Sequence, residues 1–222
     1  MELNISIGST MIASTGDLID GQASSEIISL DNENLVCSNI ENYPIEVYGA
    51  VGSNLEGYPV ICGGYVIGTY TSNKFYVYKN SKWRFLGNMI NDRAFAAAII
   101  YNSSLYIFGG CNLKFFDTLT ASEIISKEGD GIRSTKITDL KIALSMHAIT
   151  WINDTVSIIT GGKVKCTPWP YPDESLSSSW YFNHVTKRNI WLESRNLGYL
   201  KTLRFASERI VLFIVLSFVV IE

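Results

Sequence analysis

PVICGG at 59–64, SLYIFGG at 104–110 and VSIITGG at 156–162 are three versions of one phrase, an apolar run of strand-forming residues closed by a glycine pair. From Gly63 to Gly109 is 46 residues, and from Gly109 to Gly161 is 52. A degenerate fourth version, STMIASTG, ends at Gly16, 48 residues ahead of Gly64. Self-similarity at a near-constant spacing of this size marks a repeat architecture. Glycine pairs at Gly63-Gly64, Gly109-Gly110 and Gly161-Gly162 fit a strand end packed against other backbone, where a Cβ would obstruct the approach.

Outward from each glycine station the same order of elements recurs. ASSEIISL at 23–30, KFYVYK at 74–79 and ASEIIS at 121–126 read as short strands rich in β-formers. A segment centred on Trp83 or Trp191 follows in two units, and Leu35-Val36-Cys37 or Ile137 to Leu140 stands there in the others. The chain returns along RAFAAAIIY at 93–101 or SMHAITWI at 145–152, then turns at Asn102-Ser103-Ser104 or Asn153-Asp154-Thr155. The unit is therefore four short strands in about 48 residues, and no helical periodicity interrupts it. Four-stranded antiparallel units of this length stack as propeller blades that bury their faces against one another. A tryptophan in the outer part of the unit is expected to fill the wedge between neighbours. The first unit is read from its second strand, STMIAS, with no inner strand.

Composition narrows the function classes. Only 18% of the 222 residues are charged while 47% are apolar, and 12 Tyr, 10 Phe and 5 Trp suit half-buried sheet surfaces. The net charge is −3 with no basic cluster, so nucleic-acid binding lacks its electrostatic footprint and a surface-bound membrane role lacks its polybasic signature. The N-terminus shows no signal peptide, which leaves cytoplasmic and extracellular placements both open. Ile210 to Ile221 is almost wholly apolar but shorter than the roughly 20 residues of a spanning helix. Three readings of that tail stay open: a buried strand pair, a weak anchor, or the unnatural end of a truncated reading frame. Four cysteines, Cys37, Cys62, Cys111 and Cys166, include no CxxC pair. A Cys37–Cys62 bridge within one unit and reduced, packed thiols are both open.

The clearest unit, CGG at 62–64 followed by Tyr78, Trp83, Met89, Arg93 and IFGG at 107–110, resembles the kelch repeat. In finer detail the chain is similar to galactose oxidase/kelch-type propellers such as the kelch-like proteins of invertebrates, with SSSWYFNHVTKRNIWLESRNL at 177–197 resembling their last two strands. The resemblance implies an all-β kelch-type β-propeller of about four blades of four antiparallel strands, in an open or incomplete ring. It divides the chain into kelch repeats over 1–206, with stations at Gly16, Gly64, Gly110 and Gly162, and a hydrophobic tail over 207–222. A new repeat begins at Lys201 to Ala206; the stretch from Lys201 to Val215 is the alternative source of a strand that closes a small ring. No BTB or BACK adaptor domain is read in the sequence, and the chain is expected to be a fragment or a product cut short.

The resemblance implies a non-catalytic protein-protein interaction scaffold. Its partner, unidentified, would be held by loops that follow the glycine stations. Tyr65 and Tyr70 lie in the first of these, Asn112, Lys114 and Phe115 in the second. The third is the stiff, aromatic CTPWPYP at 166–172 with Trp169 and Tyr171. Arg93 and Arg204 start units where kelch arginines can face an acidic partner; the alternative is a surface arginine that pairs locally or packs its stem. Alternatives to the scaffold are the substrate-recognition part of a cullin-RING ubiquitin ligase adaptor, or a secreted galactose-oxidase-like propeller without its copper site. The galactose oxidase chemistry needs two histidines, two tyrosines and a Tyr–Cys thioether converging on one metal. This chain has only His147, read as structural, and His184, read as a solvated turn residue, in no HxH motif. A sialidase-like arginine triad is not set up by Arg93, Arg195 and Arg204 either. No catalytic residue, metal or cofactor is therefore expected. Asp31-Asn32-Glu33-Asn34 lacks the later ligands of a calcium loop. Three sequons, Asn4-Ile5-Ser6, Asn102-Ser103-Ser104 and Asn153-Asp154-Thr155, matter only in a secreted chain.

Overall fold

The computed structural model of the chain describes residues 3–7, 10–14, 25–31, 34–66, 70–129, 131–166, 176 and 178–190. Every regular element among them is a β-strand. The first sheet joins β1 (Leu3–Ile7), β2 (Thr10–Ser14), β3 (Ser25–Asp31) and β4 (Asn34–Asn39), each antiparallel to the next. In the second unit a short β5 (Val47–Tyr48) precedes β6 (Val51–Leu55) and β7 (Tyr58–Cys62). After the glycine pair come β8 (Tyr65–Val66) and β9 (Tyr70–Thr71), then β10 (Lys74–Lys79) and β11 (Lys82–Asn88). The four long strands form one sheet in the order β6-β7-β10-β11, and β5-β8-β9 make a small second one.

The third unit repeats the plan. Its sheet comprises β12 (Ala97–Tyr101), β13 (Ser104–Phe108), β16 (Ser122–Glu128) and β17 (Gly131–Lys136), with a short hairpin of β14 (Cys111–Asn112) and β15 (Asp117–Thr118) inserted after the station. The fourth sheet is β18 (Ala148–Asn153), β19 (Val156–Thr160), β20 (Ser179–Asn183) and β21 (Arg188–Ile190). First strands of successive units lie side by side, β1 by β6, β6 by β12 and β12 by β18. This is a propeller-like array of antiparallel sheets.

Alternation along the strands explains the stacking. Successive side chains of a strand point to opposite faces of its sheet. In β13, Leu105 and Ile107 join the core shared with Val60, Cys62, Phe75 and Val77 of the second sheet, while Tyr106 and Phe108 join the core shared with Ile159, Trp180 and Phe182 of the fourth. Each such side chain is worth about 1.5–3 kcal/mol on burial, so a sheet with a neighbour on both faces gains twice. Between the first and second sheets, Trp83 packs edge-on against Tyr43 at 5.1 Å and tilted against Tyr78 at 5.2 Å. Its indole Nε1 donates to the Glu41 carbonyl at 3.0 Å and its backbone N–H to the Glu41 carboxylate at 2.7 Å.

Three expectations are corrected here. The first unit does have an inner strand, since β1 pairs with β2 from Leu3↔Ser14 to Ile7↔Thr10. The segment LNISI does alternate apolar and polar residues, but it is only five residues long and no glycine station precedes it. No Cys37–Cys62 bridge exists: both thiols are free, Cys37 exposed on the outermost strand of its sheet and Cys62 buried. The disulfide instead joins Cys111 and Cys166, whose Cα atoms are 5.9 Å apart across the third and fourth station loops. Third, His184 is not solvated but buried beneath Tyr101 and Trp151. Gly16, Trp169, Tyr171, Trp191, Arg204 and the tail from Ile210 to Ile221 lie outside the described residues. No helix among the described residues is long and apolar enough to cross a membrane.

Candidate functional site

The three glycine pairs share one backbone conformation, with φ of 68° and 97° at Gly63-Gly64, 57° and 99° at Gly109-Gly110, and 67° and 96° at Gly161-Gly162. The second φ, near 97°, lies beyond the small left-handed region open to other residues and calls for glycine. The first glycine of a pair donates its N–H at the start of the third strand of its own sheet, Gly63 to Lys74 in β10 and Gly109 to Ala121 just before β16. The second reaches the start of the next unit, Gly64 to the Arg93 carbonyl at 2.9 Å and Gly110 to the Leu144 carbonyl at 2.7 Å. Each pair therefore ends a strand and launches a loop, and the pairs at Gly63-Gly64 and Gly109-Gly110 also tie two units together.

These joints gather the loops onto one face. At its centre run Gly49, Phe95 and Met146, all at positive φ, with Phe95 N–H donating to Gly49 at 2.6 Å and Met146 N–H donating to Phe95 at 2.8 Å. Around them the loops brace each other. Leu113 N–H donates to the Thr71 hydroxyl at 2.9 Å, joining the loops of units two and three. Asn112 donates to Asp92 at 2.9 Å and accepts from Lys114 N–H at 3.1 Å. The Cys111–Cys166 disulfide ties the loop after Gly110 to the chain after Gly162.

On this face Phe115 is 67% exposed, Phe116 56%, Met146 45% and Tyr70 44%. Lys114 is exposed beside them, its ammonium 5.4 Å from the Phe115 ring centroid. Tyr65 is half-buried, packed edge-on against Tyr48 at 5.1 Å. Of the expected contact residues, Tyr70, Lys114 and Phe115 are presented outward, and Tyr65 offers one edge. Phe116 and Met146 were missed by the sequence reading. The available signal for Met146 is its repeat position, two residues after Leu144 as Phe95 is after Arg93.

Arg93 is not on the surface at all, and both readings of it are corrected. Its side chain is fully buried beside Glu123. The guanidinium donates to Glu123, to the Gly109 carbonyl at 2.6 Å and to the Ala121 carbonyl at 2.9 Å. Glu123 also accepts from Ser134 and from the backbone N–H of Ile90 at 2.7 Å. Burial pulls the Arg93 guanidinium below its ordinary range, and the facing Glu123 opposes that pull. A buried charge is tolerated when paired and hydrogen-bonded like this, so the ion pair works as an internal joint.

Among the described residues, the two histidines stand at opposite ends of one sheet. His147 precedes β18 at the loop face, with its pKa pushed down to about 4 by burial and then by Arg93. His184 follows β20 at the other end of the same sheet, 2.9 Å from the Ser157 hydroxyl, and burial pushes it down to about 4 as well. Burial raises the Cys62 thiol, which keeps it protonated and unreactive. Among the described residues no three His, Cys, Asp or Glu side chains are grouped to hold a metal. The donors present do not fit a two-histidine copper centre.

No family model matches the chain, and no curated protein matches it in sequence. Solved structures do match in shape. The structure of YjhT superposes with a TM-score of 0.70 over 86% of this chain and 64% of that one, at 10% identity. A fungal alcohol oxidase of the AA5 family, in complex with copper, superposes with a TM-score of 0.54 over 85% of this chain and 52% of that one, at 12% identity. The likeness shows a β-propeller-like fold, and this chain spans less than two thirds of the length of either protein.

Proposed function

We propose that the chain is a non-catalytic scaffold, an open array of kelch-type blades that binds a protein partner through the loops after its glycine stations. The observation that carries this reading is the contrast on that face. Large apolar side chains at Tyr70, Phe115, Phe116 and Met146 stand exposed on loops fixed by backbone hydrogen bonds, Asn112 and a disulfide. Rigid aromatic anchors lose little conformational entropy on binding, so such a surface suits a protein interface. The separation of His147 and His184 speaks against a two-histidine copper centre, and Arg93 is withdrawn from the face because it is committed to Glu123.

The test is affinity capture by the full chain and by a variant combining Tyr70→Ser, Phe115→Ser and Phe116→Ser. A control variant, Tyr58→Ser, changes an exposed aromatic at the opposite end of the sheets. Partners that survive the control and disappear with the triple variant support the reading. Partners lost equally from both, or capture indifferent to both, contradict it.

A further inference from the structure

We propose that Asn102 and Asn153 carry N-linked oligosaccharides, attached in the oxidising compartment where the Cys111–Cys166 disulfide forms. Both asparagines head Asn-X-Ser/Thr sequences, Asn102-Ser103-Ser104 and Asn153-Asp154-Thr155. Both are exposed at the hairpins joining the first and second strands of adjacent sheets, β12 to β13 and β18 to β19. That end of the sheets is opposite the glycine stations, so sugars there leave the loop face open.

The local geometry presents the carboxamide. Asn153 Oδ1 accepts from Thr155 N–H at 3.0 Å, the Thr155 hydroxyl at 3.2 Å and Val156 N–H at 2.9 Å. The turn thus engages the carbonyl end and leaves Nδ2 as the other end of the group. At Asn102 the Ser104 hydroxyl donates to the backbone carbonyl at 3.3 Å. The turn does not by itself require this motif. Asn102 and Ser103 sit at φ of 45° and 55°, and the same hairpin in the second sheet reaches 52° and 85° with Glu56-Gly57. Asn80-Ser81 likewise forms a turn at 54° and 59° and is followed by Lys82, without a hydroxyl residue.

The disulfide is the independent observation. It links residues 55 apart in sequence, and disulfides of this structural kind form and persist in secretory and extracellular environments, where N-linked glycosylation also takes place. In the transfer, Asn Nδ2 forms a bond to C1 of an oligosaccharide as the C1–O bond to a lipid-linked pyrophosphate breaks. The pyrophosphate leaves with the electron pair, and the amide nitrogen gives up one proton.

The full chain is produced in a eukaryotic host, purified without reductant, treated with peptide N-glycosidase and mapped by mass spectrometry. Glycans released from both positions, each leaving aspartate, with Cys111 and Cys166 oxidised, is the expected result. Thr155→Ala should abolish the glycan at Asn153 while Thr155→Ser retains it; Ser104→Ala and Ser104→Thr should do the same at Asn102. These pairs keep the outcome separate from misfolding. An unmodified asparagine at either position in the wild-type chain overturns the assignment there, whether the cysteines are oxidised or reduced.

Discussion

The Arg93–Glu123 pair offers a sharp test, because the repeat supplies its own control. Arg93 occupies the same place in its unit as Val47 and Leu144, since Tyr48, Ala94 and Ser145 each bridge to the residue after a glycine pair. Glu123 occupies the place of Tyr76 and Trp180, opposite Ile107 as those face Ile61 and Ile159. Val47 with Tyr76, and Leu144 with Trp180, fill with apolar contact the slot that the third unit fills with charge. Removing one partner of a buried ion pair costs about 3–5 kcal/mol, because the other charge is left stranded. A whole domain has roughly 5–15 kcal/mol in total, so Glu123→Ala should bring the chain near unfolding. The Ile90 N–H and Ser134 hydroxyl lose an acceptor in the same step. Replacing both partners should not carry that cost. Arg93→Leu combined with Glu123→Trp copies the fourth unit and should fall within about 2 kcal/mol of wild type, a coupling of at least about 2 kcal/mol. Urea denaturation followed by far-UV circular dichroism measures wild type, Glu123→Ala, the single variants Arg93→Leu and Glu123→Trp, and the double variant. Equal costs for the double variant and the summed singles, or a Glu123→Ala cost under about 1 kcal/mol, would falsify the reading of this pair as a buried, interdependent joint.

Acid should also loosen the fold. His147 has a folded pKa of about 4, below its ordinary 6.5, so its contribution is complete above pH 6.5 and is lost as pH falls toward 4. The loss is at most about 3 kcal/mol; urea midpoints at stepped pH should show it, and a profile that stays as steep in His147→Phe contradicts the assignment. Reducing the disulfide, or Cys166→Ser, reopens a 55-residue loop and should cost up to about 4 kcal/mol, read as a lower thermal midpoint with reductant. Glycine-to-alanine changes should differ by station. A Cβ at Gly63 or Gly109 would collide with the carbonyl of Arg93 or Leu144, whereas at Gly161 the nearest atom, the Leu176 oxygen, is 3.8 Å away. Gly161→Ala should therefore cost only the backbone strain of about 1–2 kcal/mol, and Gly63→Ala distinctly more. Equal midpoints for the two variants count against the packing account.

What the sequence by itself determined was everything governed by neighbours along the chain. Glycine pairs at positive φ, alternation in PVIC, SLYIF and VSIIT, and two-residue turns are local requirements, so they recur visibly at a near-constant spacing. Tyr70 and Phe115 were legible as loop residues for the same reason. Tertiary structure alone decided which side chains meet across units. Arg93 looks like any unit-leading arginine until Glu123, 30 residues on, is folded beside it. His184 reads as a turn residue until Tyr101 and Trp151 close over it. Cys111 finds Cys166 rather than any nearer cysteine because consecutive station loops stand side by side, whereas Cys37 and Cys62 sit on different sheets. A repeat writes its backbone joints into every unit, but the partner of a side chain is set by stacking. Stacking brings together residues whose separation in sequence carries no local signal.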